Sequence, residues 1–320
     1  METTNCPAGK VLNPKTGRCV NIDGPTGKKL VTTPKPKATP KPKAKTTKVP
    51  KTFVSGSAYT YPFALNFLKD KHKECFIIPG KGTSREEYLR NTLIWEDRTD
   101  IKQIEDDLKG NDYDMYGERV NNAKKNNKKK KKDIGVGVLY VNKWIMSQIK
   151  KCMKNKTRFI IIPIEMVGIN RKSRHANMLI YDKVSKTAER YEPHGVPGEF
   201  EYGASFISRV IDNDIRQFLM DKNLIKTPDD YFGPLNMCPN WTEWKSGKIG
   251  HQRIQELENK GFSGSCATWT VWYTGFRLSN PNLDRDQAME KSFKHLRDSS
   301  PSFTKFISSY FSQIYQYSLQ

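Results

Sequence analysis

The sequence predicts an α+β fold in which a central mixed or antiparallel sheet packs on helices. Three observations support this class. Patterns typical of strands cluster in the middle of the chain, between residues 158 and 195. Patterns with helical periodicity lie on either side of them. The chain has 320 residues, which is enough for a large hydrophobic core.

The chain divides by composition into three parts. Residues 1–24 contain Cys6 and Cys19 around a turn-rich loop. Residues 25–52 form a Lys/Pro/Thr-rich linker, which favours an extended backbone. Residues 53–320 have the composition of a globular domain, interrupted by a Lys-rich loop at 123–132.

The first part resembles a short two-cysteine adaptor-type segment of large nucleocytoplasmic DNA viruses. The residues that carry this resemblance are NCPAGKVLNPKTGRCV. Whether the two cysteines are bonded stays open. Six scattered cysteines do not indicate a disulfide scaffold, so free thiols in a reducing compartment are expected.

The positive charge lies mainly outside the predicted core. The net charge is +21, which makes a polyanionic partner a candidate. Residues 1–52 carry twelve Lys or Arg against two acidic residues, and the 123–132 loop adds seven Lys, which leaves +4 for the remainder. The linker has no aromatic side chain that could stack on bases. We therefore expect only non-specific nucleic-acid contact, through the basic tail.

Two regions before the strands have a helical pattern. Residues 84–110 are acidic and amphipathic, which predicts a helical region that ends at Gly110. Residues 138–154 predict a second helix, with Cys152 as a structural residue near its end. One apolar face of this helix is marked by Leu139, Trp144, Ile145 and Ile149.

The strands and the later helices follow in order. A run of β-branched residues and two alternating segments predict the strands 158–166, 175–183 and 187–195, the last two joined by the turn DKVSK. Helices are predicted at 206–224, 284–297 and 301–317. No run of about 18 apolar residues predicts a membrane span, so no membrane partner is expected.

A cysteine stands where a buried helix is predicted to begin. In GFSGSCATWTVWY, large aromatic residues recur at helical spacing after Cys266. A helix N-terminus stabilises a thiolate, which is the nucleophilic form of cysteine. Cys266 is therefore the candidate nucleophile. The alternative is a structural cysteine.

A histidine and a glutamate are predicted to meet at one end of a hairpin. His175 opens the second strand, and strand alternation places it on one face with Asn177. Glu192 follows 17 residues later, so the hairpin returns it to the start of the strand. It could orient His175 as a general base, or the two could form an ordinary exposed cross-strand pair. His194, expected in a turn, competes for either role, whereas Asp182 lies too far away.

An acyl-transfer site also needs hydrogen-bond donors for the developing oxyanion. The backbone N–H of Cys266 and the side chain of Gln252 are the candidates, with Gln255 in reserve, although either glutamine could equally be a surface residue. Trp241 and Trp244 could line a substrate channel or pack in the core. No pattern predicts a metal site or a cofactor: Cys238 and His251 lack companions at the spacing of zinc ligands, and no phosphate-binding glycine motif occurs.

The motifs HANMLIYD, ERYEPHG, an upstream glutamine and GSCATW, in that order, resemble the papain-like cysteine peptidases of the adenain and SUMO-specific (Ulp1-type) clan. The resemblance covers residues 136–280 and extends to homologues in giant viruses and African swine fever virus. It implies His175 as base, Glu192 as its orienting residue, Gln252 as oxyanion donor and Cys266 as nucleophile. Gln252 lies farther from Cys266 than is usual in the clan.

The resemblance implies a thiol endopeptidase without a cofactor. Its substrates would be viral precursor proteins cleaved after small residues, of Gly-Gly or Gly-Ala type, during virion maturation. Its location would be the virion or the host cytoplasm at the viral factory. One alternative is removal of ubiquitin or SUMO-like modifiers from host proteins. Another is a virion protein that binds nucleic acid through its basic tail.

Overall fold

A computed structural model describes residues 6, 9–13, 16, 18–21, 23–25, 60–79, 92–98, 113–116, 136–167, 174–195, 208–234, 250–259 and 265–319. The chain separates into two compact units, residues 1–48 and 49–320, and each is described by itself. Most of the predicted linker, the Lys-rich loop at 123–132, Trp241 and Trp244 lie outside the described residues.

The first unit contains a small hairpin. Strand β1 (Lys10–Leu12) pairs antiparallel with β2 (Cys19–Asn21). A disulfide joins Cys6 to Cys19. This bond answers the question that the sequence left open and closes the turn-rich loop on itself.

The second unit contains seven helices and eight strands among the described residues. In chain order they are α1 (Thr60–His72), β3 (Cys75–Phe76), β4 (Leu93–Arg98), β5 (Tyr113–Tyr116), β6 (Val136–Asn142), α2 (Lys143–Lys154), β7 (Phe159–Val167), β8 (Arg174–Asp182), β9 (Thr187–Tyr191), α3 (Ser208–Asp221), β10 (Tyr231–Phe232), α4 (His251–Glu258), α5 (Cys266–Ser279), α6 (Arg285–Ser299) and α7 (Phe303–Ser318). A short 3₁₀ helix, Pro228–Asp230, precedes β10.

The eight strands form one mixed sheet. Its order is β10-β9-β8-β7-β4-β6-β5, and β3 also pairs with β7. The pairs β10/β9, β3/β7 and β4/β7 are parallel, and the others are antiparallel. The predicted mixed sheet is confirmed.

Strand β7 is the buried centre of this sheet, and all nine of its residues are buried. Pro163 has no amide hydrogen, yet it lies within the strand. On one side of β7 the partner changes at this point, from β3 opposite Ile160 and Ile161 to β4 opposite Ile164 onwards. The proline therefore occupies the junction between two partner strands.

The sheet packs on helices, as predicted, and the helices cover both of its faces. On one face α1, α4, α5, α6 and α7 contribute to one hydrophobic cluster, and on the other α2 and α3 contribute to a second. Helix α5 is buried on nearly every side, which explains why its apolar residues are not confined to one face. No helix in the described part of the chain is long and apolar enough to cross a membrane.

The predicted helical region at 84–110 is wrong where the structure describes it. Residues 93–98 form strand β4, which pairs with β6 on one side and with β7 on the other. Trp95 in this strand is fully buried and donates its Nε1–H to Asp214 (3.0 Å). The backbone hydrogen bonds that these residues make to β6 and β7 outweigh the helical preference of the local amphipathic pattern.

The helix predicted at 138–154 begins later than expected. Residues 136–142 form β6, so Leu139 belongs to a strand, and Trp144 is 51% exposed and does not lie on the core face. The side chain of Asn142 accepts a hydrogen bond from the Trp144 backbone N–H (2.7 Å) and caps α2. This cap, preceded by β-branched residues, explains the change from strand to helix.

The expectation of free thiols is also wrong for most of the described cysteines. Besides the bond in the first unit, Cys75 is joined to Cys152, and their Cα atoms are 5.7 Å apart. Strand β3 lies beside β7, and α2 leads into β7, so the two cysteines reach the same end of that strand. Among the described residues, Cys266 is the free cysteine. Cys238 lies outside them.

Candidate active site

Cys266 is the first residue of helix α5, as predicted, and Ser265 is its N-cap residue. The helix is attached to strand β8 at this point. The Thr270 hydroxyl lies 2.7 Å from the Cys266 carbonyl oxygen and 3.2 Å from that of Ala176. The backbone N–H of Ala176 in turn donates a hydrogen bond to the Cys266 sulfur. These contacts bring the thiol to the start of β8, beside His175.

The β8–β9 hairpin returns Glu192 to the start of β8. Nε2 of His175 forms a short hydrogen bond with Oε1 of Glu192. The other carboxylate oxygen, Oε2, accepts a hydrogen bond from Nδ2 of Asn177 (2.8 Å). Both His175 and Glu192 are 5% exposed, so they are not an exposed cross-strand pair.

The imidazole of His175 joins the carboxylate to the thiol. His175 hydrogen bonds to Cys266 as well as to Glu192. Because Nε2 is bonded to Glu192, Nδ1 is the nitrogen that faces the sulfur. Three side chains from two strands and a helix thus form a continuous chain, Cys266–His175–Glu192.

The electrostatics of this chain favour a thiolate and an imidazolium. Burial opposes a charged imidazole, but the Glu192 carboxylate and the Cys266 thiol outweigh it and raise the pKa of His175 to about 10. Burial also opposes a charged carboxylate, but mainly the charge of His175 lowers the pKa of Glu192 to about 2. For Cys266, the hydrogen bond and charge of His175 overcome burial and lower the thiol pKa.

A buried network behind Glu192 was missed by the sequence analysis. Arg190 donates through Nε to Asp212 on α3 (2.8 Å) and through Nη1 to Oδ1 of Asn177. Its Nη1 is 3.8 Å from Oε2 of Glu192. Tyr231 also donates to Asp212 (2.7 Å). The sequence did contain one indication of this network: Arg190 precedes Glu192 by two residues, and residues two apart in an extended chain lie on the same face.

His194 lies in a turn, as predicted, and packs against His175. The two rings are stacked, with centroids 4.7 Å apart. The turn is closed by the Gly195 N–H, which donates to the Glu192 carbonyl (3.0 Å), and the His194 N–H donates to the Glu192 carboxylate (2.9 Å). His194 therefore contacts both His175 and Glu192.

The N-terminus of helix α4 is hydrogen-bonded to the same turn. The Gly250 N–H donates to the His194 carbonyl (2.9 Å), and Nε2 of His194 is 3.0 Å from a carboxylate oxygen of Glu256. A Cβ atom at position 250 would lie 2.2 Å from the Pro193 carbonyl oxygen and 2.4 Å from the Gly195 nitrogen. Only glycine allows this close approach.

Of the two candidate glutamines, Gln255 is the one that the structure describes beside α5. It is fully buried, and its Oε1 accepts hydrogen bonds from the Ser265 hydroxyl (2.5 Å) and from Nε1 of Trp269 (3.2 Å). With the oxygen held in this way, the amide acts as a donor through Nε2. Gln252 lies in the first turn of α4, and its side chain is outside the described part of the structure.

His251 is separate from this chain of contacts. It is fully buried, bonded through Nδ1 to the Tyr191 hydroxyl (2.8 Å) and through Nε2 to the Ser292 hydroxyl (2.9 Å). It also stacks on Phe293, with ring centroids 3.9 Å apart. Burial lowers its pKa to about 3. It is therefore a neutral core histidine.

Comparisons with known proteins show limited similarity. No protein-family model matches the chain. A protein of Acanthamoeba polyphaga mimivirus that bears the name of an ankyrin repeat protein is 28% identical over 170 residues. That match covers 51% of this chain and 21% of the mimivirus protein, so the chain spans about a fifth of its relative's length.

Among solved structures, the chain is similar to the SUMO protease Ulp1 with the catalytic cysteine oxidised to a sulfenic acid. The sequence identity is 16%, and the match covers 55% of this chain and 60% of that one, with a TM-score of 0.25. That overlay is too weak to establish a common fold. The site is therefore interpreted from its own geometry.

Proposed function

We propose that the chain is a thiol peptidase of papain-like type, in which Cys266 is the nucleophile, His175 the general base and Glu192 the residue that orients the imidazole. The observation that supports this is the buried chain of hydrogen bonds from the thiol through His175 to Glu192. A thiolate at a helix N-terminus, paired with an imidazolium, is the activated form that nucleophilic catalysis requires.

In the proposed reaction the Cys266 sulfur attacks the carbonyl carbon of the scissile peptide bond. The negative charge that develops on the carbonyl oxygen is stabilised by the Cys266 backbone N–H and by Nε2 of Gln255. His175 gives its Nδ1 proton to the leaving amine, the C–N bond breaks, and a thioester remains. Water then attacks the thioester, with His175 accepting its proton, and the acid product leaves while the thiol is restored.

The arrangement around Ser265 supports Gln255 as the second oxyanion donor. The Ser265 side chain does not cap α5, because its hydroxyl donates to Gln255 instead. The first N–H groups of α5 are thus left without a side-chain acceptor from the N-cap residue. The same contact fixes the amide of Gln255 with its oxygen toward Ser265 and Trp269.

The substrates we propose are viral precursor proteins, cleaved after small residues of the Gly-Gly or Gly-Ala type during virion maturation. The motifs around His175, Glu192 and Cys266 and the mimivirus relative support this proposal. It places the enzyme in the virion or at the viral factory in the host cytoplasm. The same chemistry would serve removal of ubiquitin-like modifiers from host proteins, which is the second candidate because of the likeness of the motifs to SUMO-specific peptidases.

Peptide cleavage by the full-length protein tests the chemistry. We expect hydrolysis of a panel of Gly-Gly and Gly-Ala peptides that is lost in Cys266→Ala protein. A double variant, Cys6→Ser with Cys19→Ser, is the matched control, because it removes two other cysteines and should cleave as the wild type does. Equal cleavage by the wild type and the Cys266→Ala variant would contradict the proposal.

Electrophilic probes made from ubiquitin and SUMO-like modifiers separate the two substrate classes. A peptidase of viral precursors should cleave the peptides and react with none of the probes. Labelling of Cys266 by such a probe at a rate similar to peptide turnover would instead favour the modifier-removing enzyme.

A further inference from the structure

We infer that His175, Glu192 and His194 form a binding site for Zn²⁺, and that the ion reversibly inhibits the enzyme by occupying the nitrogen that Glu192 orients. Binding of the ion stands on the geometry alone. Its inhibitory effect rests on the proposed function.

Three ligand atoms converge in the described structure. One atom from each residue, either a ring nitrogen or a carboxylate oxygen, lies within 4.8 Å of the others. Nδ1 of His194 is 3.4 Å from Nε2 of His175 and 3.8 Å from Oε1 of Glu192. Ligands at the usual zinc distances in a tetrahedral site are about 3.3 Å apart, so these two separations suit the ion.

The third separation, between His175 and Glu192, is shorter because the two share a proton. An ion that replaces this proton must push the two atoms apart by about 1 Å to reach tetrahedral spacing. A small rotation of the Glu192 carboxylate would supply that movement. The proton is released to solvent on binding.

Two of the three ligands, His194 and Glu192, already have an outer partner of the kind that zinc ligands use. Nε2 of His194 is 3.0 Å from the Glu256 carboxylate, while its Nδ1 faces the cluster. Oε2 of Glu192 accepts a hydrogen bond from Asn177 (2.8 Å). Such partners hold the rings in place and make the ligands more basic. A chance encounter of three side chains would not supply both of them.

Charge and access also favour a cation at this position. Glu192 and Glu256 both carry negative charge. The guanidinium of Arg190, which lies near Glu192, is paired with Asp212 (2.8 Å), so its positive charge is balanced there. The side chains of His194 and Glu256 are 16% and 20% exposed, whereas that of His175 is 6% exposed. An ion can therefore enter from the His194 side. Two imidazoles with one carboxylate suit Zn²⁺ better than Mg²⁺ or Ca²⁺, which prefer oxygen ligands.

A zinc ion in this site would break the hydrogen bond between His175 and Glu192. The ion takes Nε2 of His175 and competes with that ring for Glu192, so the imidazole loses its orienting partner. The sulfur lies on the Nδ1 side of the same ring and is not a ligand. This distinguishes the proposed site from the common inhibition of thiol enzymes by zinc bound directly to the sulfur.

Calorimetric titration of full-length Cys266→Ala protein with zinc chloride tests the site without any peptidase step. We expect one ion per chain in the His175 site. His194→Asn in the same background should weaken binding at least tenfold. Glu256→Gln, which removes the outer carboxylate, should weaken it about 10- to 100-fold. His295→Asn is the matched control, because His295 is an exposed histidine on α6 and its loss should leave binding unchanged.

Cobalt provides a second measurement on the unsubstituted protein. Co²⁺ bound by nitrogen and oxygen should show weak visible bands without the strong thiolate-to-cobalt charge-transfer band. A charge-transfer band, loss of binding in Cys266→Ala protein, or unchanged affinity in both His194→Asn and Glu256→Gln proteins would each overturn the site. Zinc binding with these properties by a protein that cleaves no peptide would refute the proposed function and leave the metal site standing.

Discussion

The hydroxyl of Ser265 donates a hydrogen bond to Oε1 of Gln255 at 2.5 Å and does not cap the helix that Ser265 precedes. This contact joins α4 to the first turn of α5, immediately before the free thiol. It is the reason why Gln255 is proposed as the oxyanion donor. A serine before a helix predicts a cap, whereas here its hydroxyl orients an amide.

Substitution of Gln255 should impair catalysis without unfolding the protein. Gln255→Glu keeps the oxygen that Ser265 and Trp269 contact and removes the Nε2 donor. We expect kcat to fall about 10²- to 10³-fold with a smaller change in KM, because the donor acts mainly on the developing oxyanion. The matched variant Gln252→Glu should keep most of the activity. The reverse pattern in steady-state kinetics would restore Gln252 as the donor.

Gly250→Ala should disrupt the close packing between the start of α4 and the turn that contains His194. The added Cβ would meet backbone atoms of residues 193–195 at 2.2 to 2.6 Å, and backbone atoms cannot move aside cheaply. We expect kcat/KM to fall at least tenfold. Gly275→Ala is the control, since its Cβ would come close only to the flexible end of the Leu68 side chain, at 2.9 Å, and would be in ordinary contact with His72 and Tyr310, at 3.6 and 3.8 Å. That variant should retain activity within about twofold, because alanine is the better helix former.

The thiol of Cys266 should react as a thiolate at pH values where ordinary cysteines are protonated. His175 lowers the pKa of Cys266, and its own pKa is raised to about 10. An ordinary thiol with a pKa of about 8.5 becomes roughly 80-fold more reactive between pH 6 and pH 8. Alkylation of Cys266 by iodoacetamide, followed by mass spectrometry of its peptide, should vary much less over this range. In His175→Ala protein the steep dependence should return; a steep profile in the wild type would exclude the ion pair.

His251 should make the fold less stable in mild acid. Its pKa of about 3 in the folded state lies below the value of about 6.5 for an unfolded histidine, so the unfolded chain binds a proton first as the pH falls. The free energy of unfolding is then lost below pH 6.5, by roughly 1 kcal/mol per pH unit. The raised pKa of His175 changes stability only above pH 6.5. Burial raises the pKa of Glu189, so that carboxyl also titrates in acid, and the wild type and the variant are compared over the same window from pH 6.5 to 4.5. Urea unfolding of His251→Gln protein should show a flatter profile in this window, and an unchanged slope would assign the acid sensitivity to other groups.

Arg190 should be important for stability, in contrast to a similar arginine nearer the surface. Arg190→Met leaves the buried Asp212 with the Tyr231 hydroxyl but without its charged partner, and we expect the free energy of unfolding to fall by about 3–5 kcal/mol. Arg158 also pairs with an aspartate, Asp182 (2.7 Å), but its side chain is 32% exposed. Arg158→Met should therefore cost less than about 1 kcal/mol. Similar losses in the two variants, measured by urea unfolding, would mean that burial does not govern these pairs.

The parts of the site that could be predicted lie on elements with strong local patterns. Strand alternation and a short turn placed His175 and Glu192 at one end of a hairpin, and the aromatic spacing after Cys266 placed it at a helix start. The errors arose where a local pattern competed with distant pairing. Residues 93–98 look helical by themselves, but β6 and β7 offer them hydrogen bonds on both sides.

The amino-acid order alone predicted a mixed or antiparallel sheet packed on helices, the position of the thiol at the start of its helix and the return of Glu192 beside His175, because each follows from backbone periodicity over a few residues. Only the tertiary structure decided that Gln255 hydrogen bonds to Ser265 and Trp269 at the start of α5, that Arg190 and Asn177 lie behind Glu192, and that His194 stacks on His175. These contacts join segments as far apart as β8 and α4. Their geometry is set by the packing of the whole core, which no short stretch of sequence contains.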